Sequence, residues 1–127
     1  MRSLGVNLLV DFYDCNLRTI DQLNELEEIL LESARISGAT IIKSVFHQFS
    51  PQGVSGVVVI AESHFAIHTW PEFGYCAIDI FTCSEDMDTN KAIHFLREKL
   101  GAKTVSISET KRGLLDYNTD QYKLNKT

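Results

Sequence analysis

The stretch VVVIAESHFAIHTWPEFGY, residues 57–75, decides the fold of this chain. Two runs of β-forming residues, 57–60 and 65–70, follow each other closely, which predicts two strands joined as a hairpin. The residues between them, 61–64, include no glycine, proline or asparagine, although two-residue hairpin turns favour residues that tolerate a positive φ. The tip is therefore either a longer, irregular surface loop or a strained turn that is held for a purpose.

Apolar periodicity on both sides of the hairpin predicts the remaining elements. Thr19 and Gln22 form a capping-box signature for a first helix, and Gly38 provides its C-terminal stop. A second helix is capped by Asp88 or Thr89 and ends at a glycine in the same way. Strands are predicted at 5–13, 40–49, 54–61, 64–70, 75–83 and 103–109, which gives the order β-α-β-β-β-β-α-β.

The helices and the fifth strand predict how the layers are arranged. Each helix has a single apolar stripe, so the fold class is α+β: a two-layer sandwich with a mostly antiparallel sheet and two helices on one face. In the fifth strand, Ile78 and Ile80 should face the helices, whereas Asp79, Phe81 and Cys83 should point away from them. An open face that carries polar and aromatic residues indicates a dimer contact or a ligand site.

Length and composition limit the class of protein. The 127 residues predict a single domain, and the net charge of -5 argues against nucleic acid and against an anionic membrane surface as partners. The apolar N-terminal stretch is too short for a signal peptide, and no segment approaches the ~20 apolar residues of a transmembrane helix. Three cysteines without a CxxC pair favour reduced thiols in a cytoplasmic protein. The polar residues after about Lys111, and in particular the tail 113–127, are expected to be flexible.

The residues at the hairpin tip suggest a reaction of the backbone itself. The hydroxyl of Ser63 can attack the carbonyl carbon of Glu62 through a five-membered ring, which converts the amide into an ester. This step needs a distorted peptide, a proton relay to the nitrogen and a donor for the oxyanion. His68 is the candidate for the relay, and Ser55, on the adjacent strand, for the oxyanion. From these residues alone, an irregular hairpin with a surface serine and a structural histidine explains the pattern at least as well.

Longer stretches of the chain resemble a known family, the bacterial and archaeal S-adenosylmethionine decarboxylase proenzymes. The resemblance covers nearly the whole chain up to about Gly113, and its central motif is long and unusual. The stretches that carry it are LGVNLLVDFYDC (4–15), GATI (38–41), FHQFSPQGVSG (46–56), SGVVVIAESHFAIHTWPEFGY (55–75) and DIFTC (79–83).

The resemblance implies self-cleavage between Glu62 and Ser63, which gives two chains, residues 1–62 and residues 63–127. Ser63 would become an N-terminal pyruvoyl group, the covalent cofactor that forms a Schiff base with the substrate amine. The roles implied at the other matching positions are processing for His68 and Ser55, and proton donation during turnover for Cys83.

The implied substrate is S-adenosylmethionine. Phe49 and Trp70 are candidates to bind its sulfonium and its adenine by cation–π attraction and stacking, although each could be an ordinary core residue. Glu72 is a candidate to hydrogen-bond the ribose hydroxyls, with a solvated turn carboxylate as the alternative. The family's sites lie between subunits, so the resemblance also implies a homodimer of two-chain units with facing sheets and two shared active sites.

Two other functions stay open. The first is a pyruvoyl-dependent arginine or ornithine decarboxylase on the same scaffold, and the second is an unprocessed binding or regulatory paralogue. Cys15 and Cys76 are expected to be packing or surface residues, and His64 has no predicted role. His64 and His68 lie about 13 Å apart along an extended strand, too far to share a metal easily, so no metal site is predicted.

Overall fold

A computed structural model describes residues 2–115 of the chain, and the predicted order of strands and helices is confirmed. Short 3₁₀ turns at Thr19–Asp21 and Pro71–Phe73 complete the secondary structure. The main elements are β1 (Arg2–Tyr13), α1 (Leu23–Ile36), β2 (Ile41–Gln48), β3 (Val54–Ile60), β4 (Ser63–Trp70), β5 (Tyr75–Thr82), α2 (Thr89–Leu100) and β6 (Thr104–Leu115).

The strands form one six-stranded sheet in the order β2-β3-β4-β5-β1-β6, and every neighbouring pair is antiparallel. One sheet face and the apolar stripes of α1 and α2 enclose a single core, so the α+β sandwich is confirmed. The largest fully buried side chains come from both layers: Val10, Phe12, Val54, Phe65, Ile67, Ile78 and Ile80 from the sheet, and Leu26, Leu30, Leu96 and Leu100 from the helices, with Ile20 from the first 3₁₀ turn.

The alternation predicted in β5 is confirmed. Ile78 and Ile80 are fully buried, whereas Asp79 and Phe81 between and after them are only half-buried. Residues paired across neighbouring strands share a face, so Asp79 lies beside Ala66 of β4 on the side away from the helices. We call this side the open face. Among the residues described, no helix is long and apolar enough to cross a membrane.

The start of the first helix differs from the prediction. The capping box proposed for Thr19 and Gln22 is wrong: α1 begins at Leu23, and Gln22 makes no side-chain capping bond. Instead, the side-chain oxygen of Asn16 accepts hydrogen bonds from the backbone N–H groups of Arg18 and Thr19, at 3.1 and 3.0 Å. This local bond favours a separate 3₁₀ turn before the helix.

The last strand is longer than predicted. The prediction of a flexible chain after Lys111 is wrong for the residues up to Leu115, because β6 pairs with β1 as far as Leu115, which lies opposite Arg2. Most side chains of β6 are exposed, since β6 is an edge strand held by backbone hydrogen bonds rather than by burial. Residues 116–127 of the expected tail lie outside the described part of the chain.

Candidate active site

The β3–β4 hairpin ends in a tight turn that strains one residue. Ala61 and Glu62 form the turn, and Ile60 pairs with Ser63 across it. Ser63 has a φ of +152°, in a range that residues with a side chain rarely adopt and that costs roughly 1–3 kcal/mol. Of the two possibilities that the sequence left open, the strained turn is the one observed, and the strain falls on the serine of the predicted cleavage bond.

The carbonyl group of Glu62 is held by two donors from one residue. Its oxygen accepts a hydrogen bond of 3.0 Å from the backbone N–H of Cys83 and one of 3.2 Å from the thiol of Cys83. Cys83 follows β5, so the β4–β5 register places it beside the turn. Donors aimed at this oxygen are placed to stabilise negative charge that develops there when the carbonyl carbon is attacked. The sequence assigned this contact to Ser55, and within one chain Cys83 makes it instead.

Ser55 and His68 form a second pair of polar residues, away from the turn. They lie opposite each other on β3 and β4, and Ser55 Oγ is 2.8 Å from His68 Nδ1. His68 is five residues beyond Ser63 along an extended strand, a separation of about 16 Å at the usual rise per residue. The structure therefore does not bring the expected proton relay to Ser63 within a single chain.

The predicted substrate-binding residues do cluster with this second pair. Phe49, Ser55, His68, Trp70 and Glu72 all line one cavity of ≈ 290 Å³. The aromatic rings are not core residues, because 47% of Phe49 and 40% of Trp70 is exposed. We call these five residues the pocket half-site.

The other three predicted residues gather at the turn. Glu62, Ser63 and Cys83 are within hydrogen-bonding or covalent reach of one another, and we call them the cleavage half-site. No group of three histidine, cysteine, aspartate or glutamate residues in the range 2–115 is arranged to hold a metal ion.

A row of aromatic rings lies beside the pocket half-site, and it was not predicted from the sequence. The ring of Trp70 lies 5.3 Å from that of Tyr75, which in turn stacks 5.4 Å from that of Tyr13. The hydroxyl of Tyr75 donates a hydrogen bond of 2.6 Å to Asp11. Burial and this hydrogen bond raise the pKa of Tyr75 above its ordinary value. Strand alternation would have placed Tyr75 on the open face, beside Trp70.

A second aromatic group lies next to the cleavage half-site. The imidazole of His64 stacks on the ring of Phe81 at 5.8 Å, and the guanidinium of Arg112 lies 5.9 Å from the centre of the same ring. Gly5 leaves the space for this ring, since a Cβ there would come within 3.1 Å of it. Arg112 was missed because the sequence assigned it to the flexible tail.

The other two cysteines are packing residues, as expected. Cys15 and Cys76 are both free and buried, and the thiol of Cys15 donates a hydrogen bond of 3.6 Å to the carbonyl oxygen of Phe12. The neighbouring thiol of Cys15 and burial raise the pKa of Cys76, so its thiol stays protonated. Cys83 is the exposed cysteine, and it is the one at the cleavage half-site.

Comparison with known proteins gives the family. The family model described as S-adenosylmethionine decarboxylase matches residues 6–113. The S-adenosylmethionine decarboxylase proenzyme of Thermotoga petrophila is 52% identical over 116 residues, which cover 91% of this chain and 89% of the relative. The proenzyme of Acidithiobacillus ferrooxidans is 48% identical over 91% of this chain and 87% of its own length.

A solved structure agrees with the sequence relatives. The crystal structure of the adenosylmethionine decarboxylase from Aquifex aeolicus superposes with a TM-score of 0.84 at 31% identity, covering 93% of this chain and 98% of that one. The chain therefore belongs to the S-adenosylmethionine decarboxylase family.

Proposed function

We propose that the chain is the precursor of a pyruvoyl-dependent S-adenosylmethionine decarboxylase. The enzyme would release CO₂ from S-adenosyl-L-methionine and leave S-adenosylmethioninamine, the aminopropyl donor for spermidine synthesis. The observation that carries this proposal is the strained Ser63 beside a carbonyl group with two hydrogen-bond donors. Both the reaction and the cleavage are supported by relatives that are 52% and 48% identical and are named S-adenosylmethionine decarboxylase proenzymes.

Self-cleavage begins with an attack of Ser63 Oγ on the carbonyl carbon of Glu62. A C–O bond forms, the C–N bond to Ser63 breaks, and the nitrogen takes up the proton, which leaves an ester. The N–H and thiol of Cys83 hold the oxygen while it carries negative charge. A base then removes the α-proton of Ser63, and Glu62 departs as a carboxylate. Water displaces the former Ser63 nitrogen as ammonia, which leaves a pyruvoyl ketone at the start of residues 63–127.

The local structure fits this chemistry. The strain at Ser63 is released when its amide becomes an ester, so the φ of +152° favours the first step. The pyruvoyl ketone supplies the electron sink that an amino-acid decarboxylase needs and that no ordinary side chain provides. Cys83 lies at the bond that is cut, and its thiol can hold the proton that returns to the substrate after CO₂ leaves.

The separation of the half-sites supports a homodimer as the working unit. The point midway between Ser63 and His68 falls near Ala66, which is opposite Asp79. A two-fold axis crossing the open face there would put each cleavage half-site against the pocket half-site of the partner subunit, with the two sheets facing each other. His68 of the partner subunit would then relay the proton to Ser63 with the help of Ser55 of the partner subunit.

The composition of the open face supports the same assembly. Leu9, Val45 and Val59 are exposed there, at 42%, 55% and 37%, which is unfavourable for a surface that stays in water. The side-chain oxygen of Asn7, opposite Phe81, is shielded and has no hydrogen-bond partner among the described residues. A second copy would cover the apolar side chains and can supply the missing donor.

The pocket half-site suits the proposed substrate. Phe49 and Trp70 present exposed aromatic faces to one cavity, where they can stack on adenine and attract a sulfonium cation. Glu72 lies at the same cavity and can accept hydrogen bonds from the two ribose hydroxyls. The three free cysteines suit a reducing compartment, and we place the enzyme in the cytoplasm.

A decarboxylase of arginine or ornithine would use the same cleavage half-site, so turnover of the three substrates separates the alternatives. We expect ¹⁴CO₂ from carboxyl-labelled S-adenosylmethionine and none above background from labelled arginine or ornithine. Release from arginine or ornithine alone would overturn the proposed substrate. A variant with Ser63→Ala, which cannot form the ketone, is the control and should release nothing from any of the three.

A further inference from the structure

The side chain of Glu62 is tied to a distant part of the backbone. Its Oε1 accepts a hydrogen bond of 3.0 Å from the N–H of Thr40, which lies 22 residues away in sequence. The carbonyl group of the same Thr40 accepts a hydrogen bond of 2.8 Å from the N–H of Ala61. Both residues of the β3–β4 turn are therefore fastened to one residue just before the edge strand β2. We call this pair of bonds the Thr40 clamp.

The turn needs such a clamp because its own sequence does not favour the observed shape. Neither Ala61 nor Glu62 is a residue that two-residue hairpin turns prefer, and the next residue, Ser63, has a φ of +152°. A strained conformation persists only where the surrounding structure over-determines it. One side of the turn is fixed by the pairing of Ser63 with the neighbouring strands and by the two hydrogen bonds from Cys83 to Glu62. The Thr40 clamp fixes the other side.

We infer that the side chain of Glu62 is a positioning residue for self-cleavage, acting through its hydrogen bond to the N–H of Thr40. This inference rests on the proposed function, since it assigns a role within the self-cleavage step. Without the bond, the Glu62–Ser63 peptide can rotate to a relaxed conformation, which removes the strain and moves the carbonyl group from the donors of Cys83. The role of this glutamate is thus to fix the conformation of the turn, through one side-chain oxygen that accepts a hydrogen bond from a backbone N–H.

The clamp also has a consequence after the cut. It runs through the side chain of Glu62 and the N–H of Ala61, not through the bond that breaks. After the cut, these bonds would still hold the new C-terminus of residues 1–62 to Thr40.

The test compares two substitutions of Glu62 by the rate of self-cleavage, followed by denaturing mass spectrometry on freshly translated chain. Glu62→Ala removes the acceptor and should slow cleavage roughly 10- to 100-fold, the loss expected for one hydrogen bond to a charged group. Glu62→Gln keeps an oxygen that accepts from Thr40 and should cleave within about threefold of the wild type. Equal rates for the wild type and Glu62→Ala would overturn the inference, as would a Glu62→Gln chain as slow as Glu62→Ala.

A matched control separates this role from a general loss of stability. Glu27 is another half-buried carboxylate, and it accepts a hydrogen bond of 2.7 Å from Ser44, which links α1 to β2. Glu27→Ala should cleave at the wild-type rate, even where its Tm falls as far as that of Glu62→Ala. A slow Glu27→Ala chain at equal Tm would contradict a specific role for the clamp.

Hydroxylamine gives a readout that stability alone does not move, because it intercepts the ester and leaves a hydroxamate on the residue at position 62. We expect a lower yield of hydroxamate per minute from Glu62→Ala than from Glu62→Gln, since fewer chains reach the ester. Equal yields would contradict the inference. A wild-type chain that never cuts would instead refute the proposed function, so the two failures are distinguishable.

Discussion

Ser55 Oγ lies 2.8 Å from His68 Nδ1, and this pair is at the opposite end of β4 from Ser63. The distance along the strand, about 16 Å, exceeds the reach of any side chain. If Ser55 and His68 serve the cleavage of Ser63, they must do so in another subunit. The cleavage half-site and the pocket half-site are then two parts of a site that one chain cannot complete.

This separation predicts that two inactive variants restore cleavage together. Ser63→Ala and His68→Ala should each remain uncut when produced alone. In a mixed dimer, the intact His68 of the Ser63→Ala subunit faces Ser63 of the other subunit, so the His68→Ala chain should be cut. Co-expression with two different tags and mass spectrometry of each chain checks this result. A His68→Ala chain that cuts by itself, or stays whole in the mixture, argues against the shared site.

Cys83→Ala should affect the two reactions unequally. The backbone N–H that holds the Glu62 carbonyl oxygen remains, so self-cleavage should slow only about 2- to 10-fold through loss of the thiol hydrogen bond. Decarboxylation by the cut enzyme should fall at least about 100-fold, because the variant lacks the proposed proton donor. Cleavage kinetics and kcat measured on the same preparation separate the effects. A variant that turns over normally would remove Cys83 from the role of proton donor.

Trp70→Ala should weaken substrate binding rather than cleavage. Loss of one aromatic face at the cavity should raise KM for S-adenosylmethionine about 2- to 30-fold, with cleavage unchanged. Phe73→Ala is the matched control, because Phe73 is three residues away, 76% exposed and not among the residues of the pocket half-site. Steady-state kinetics of both variants check the prediction, which fails if the two changes in KM are alike.

Tyr75 should make the free energy of unfolding depend on pH in the alkaline range. Burial and the hydrogen bond to Asp11 raise the pKa of Tyr75 in the folded state. Above about pH 10 the hydroxyl of Tyr75 therefore keeps its proton in the folded chain and loses it in the unfolded chain. The stabilisation is therefore complete below pH 10 and is lost as pH rises further. Urea midpoints at pH 8 and pH 11 should show the wild type losing its advantage over Tyr75→Phe at the higher pH. An advantage that is constant with pH would contradict the prediction.

Most of the fold follows from patterns that the sequence displays directly. Burial of Ile78 and Ile80 on one face of β5 follows from alternation. Asp88 caps α2, as one of the two predicted capping residues, because its side chain accepts a hydrogen bond from the N–H of Lys91. The end of β6 did not follow, because an edge strand needs no apolar alternation to pair with β1. The segment before α1 was also missed, since Asn16 and not Thr19 provides the local side-chain bond.

The sequence named the candidate site residues but did not predict how they are arranged. Five positions separate Ser63 from His68, which looks close in sequence yet is far along an extended strand. The contact of Cys83 with the Glu62 carbonyl group depends on the β4–β5 register, and the contact of Thr40 with the Glu62 side chain depends on where β2 begins. Pairings of this kind are set by the packed sheet, and a single sequence gives no signal for them.

The proposed conversion of Ser63 into a pyruvoyl group is tested most directly by the intact mass of purified, active protein under denaturing conditions. We expect two chains, residues 1–62 and residues 63–127, with the second carrying a pyruvoyl group in place of Ser63 and losing that signature after borohydride reduction. Active protein that consists of one uncut chain of 127 residues, with no reactive keto group, would contradict the proposed mechanism.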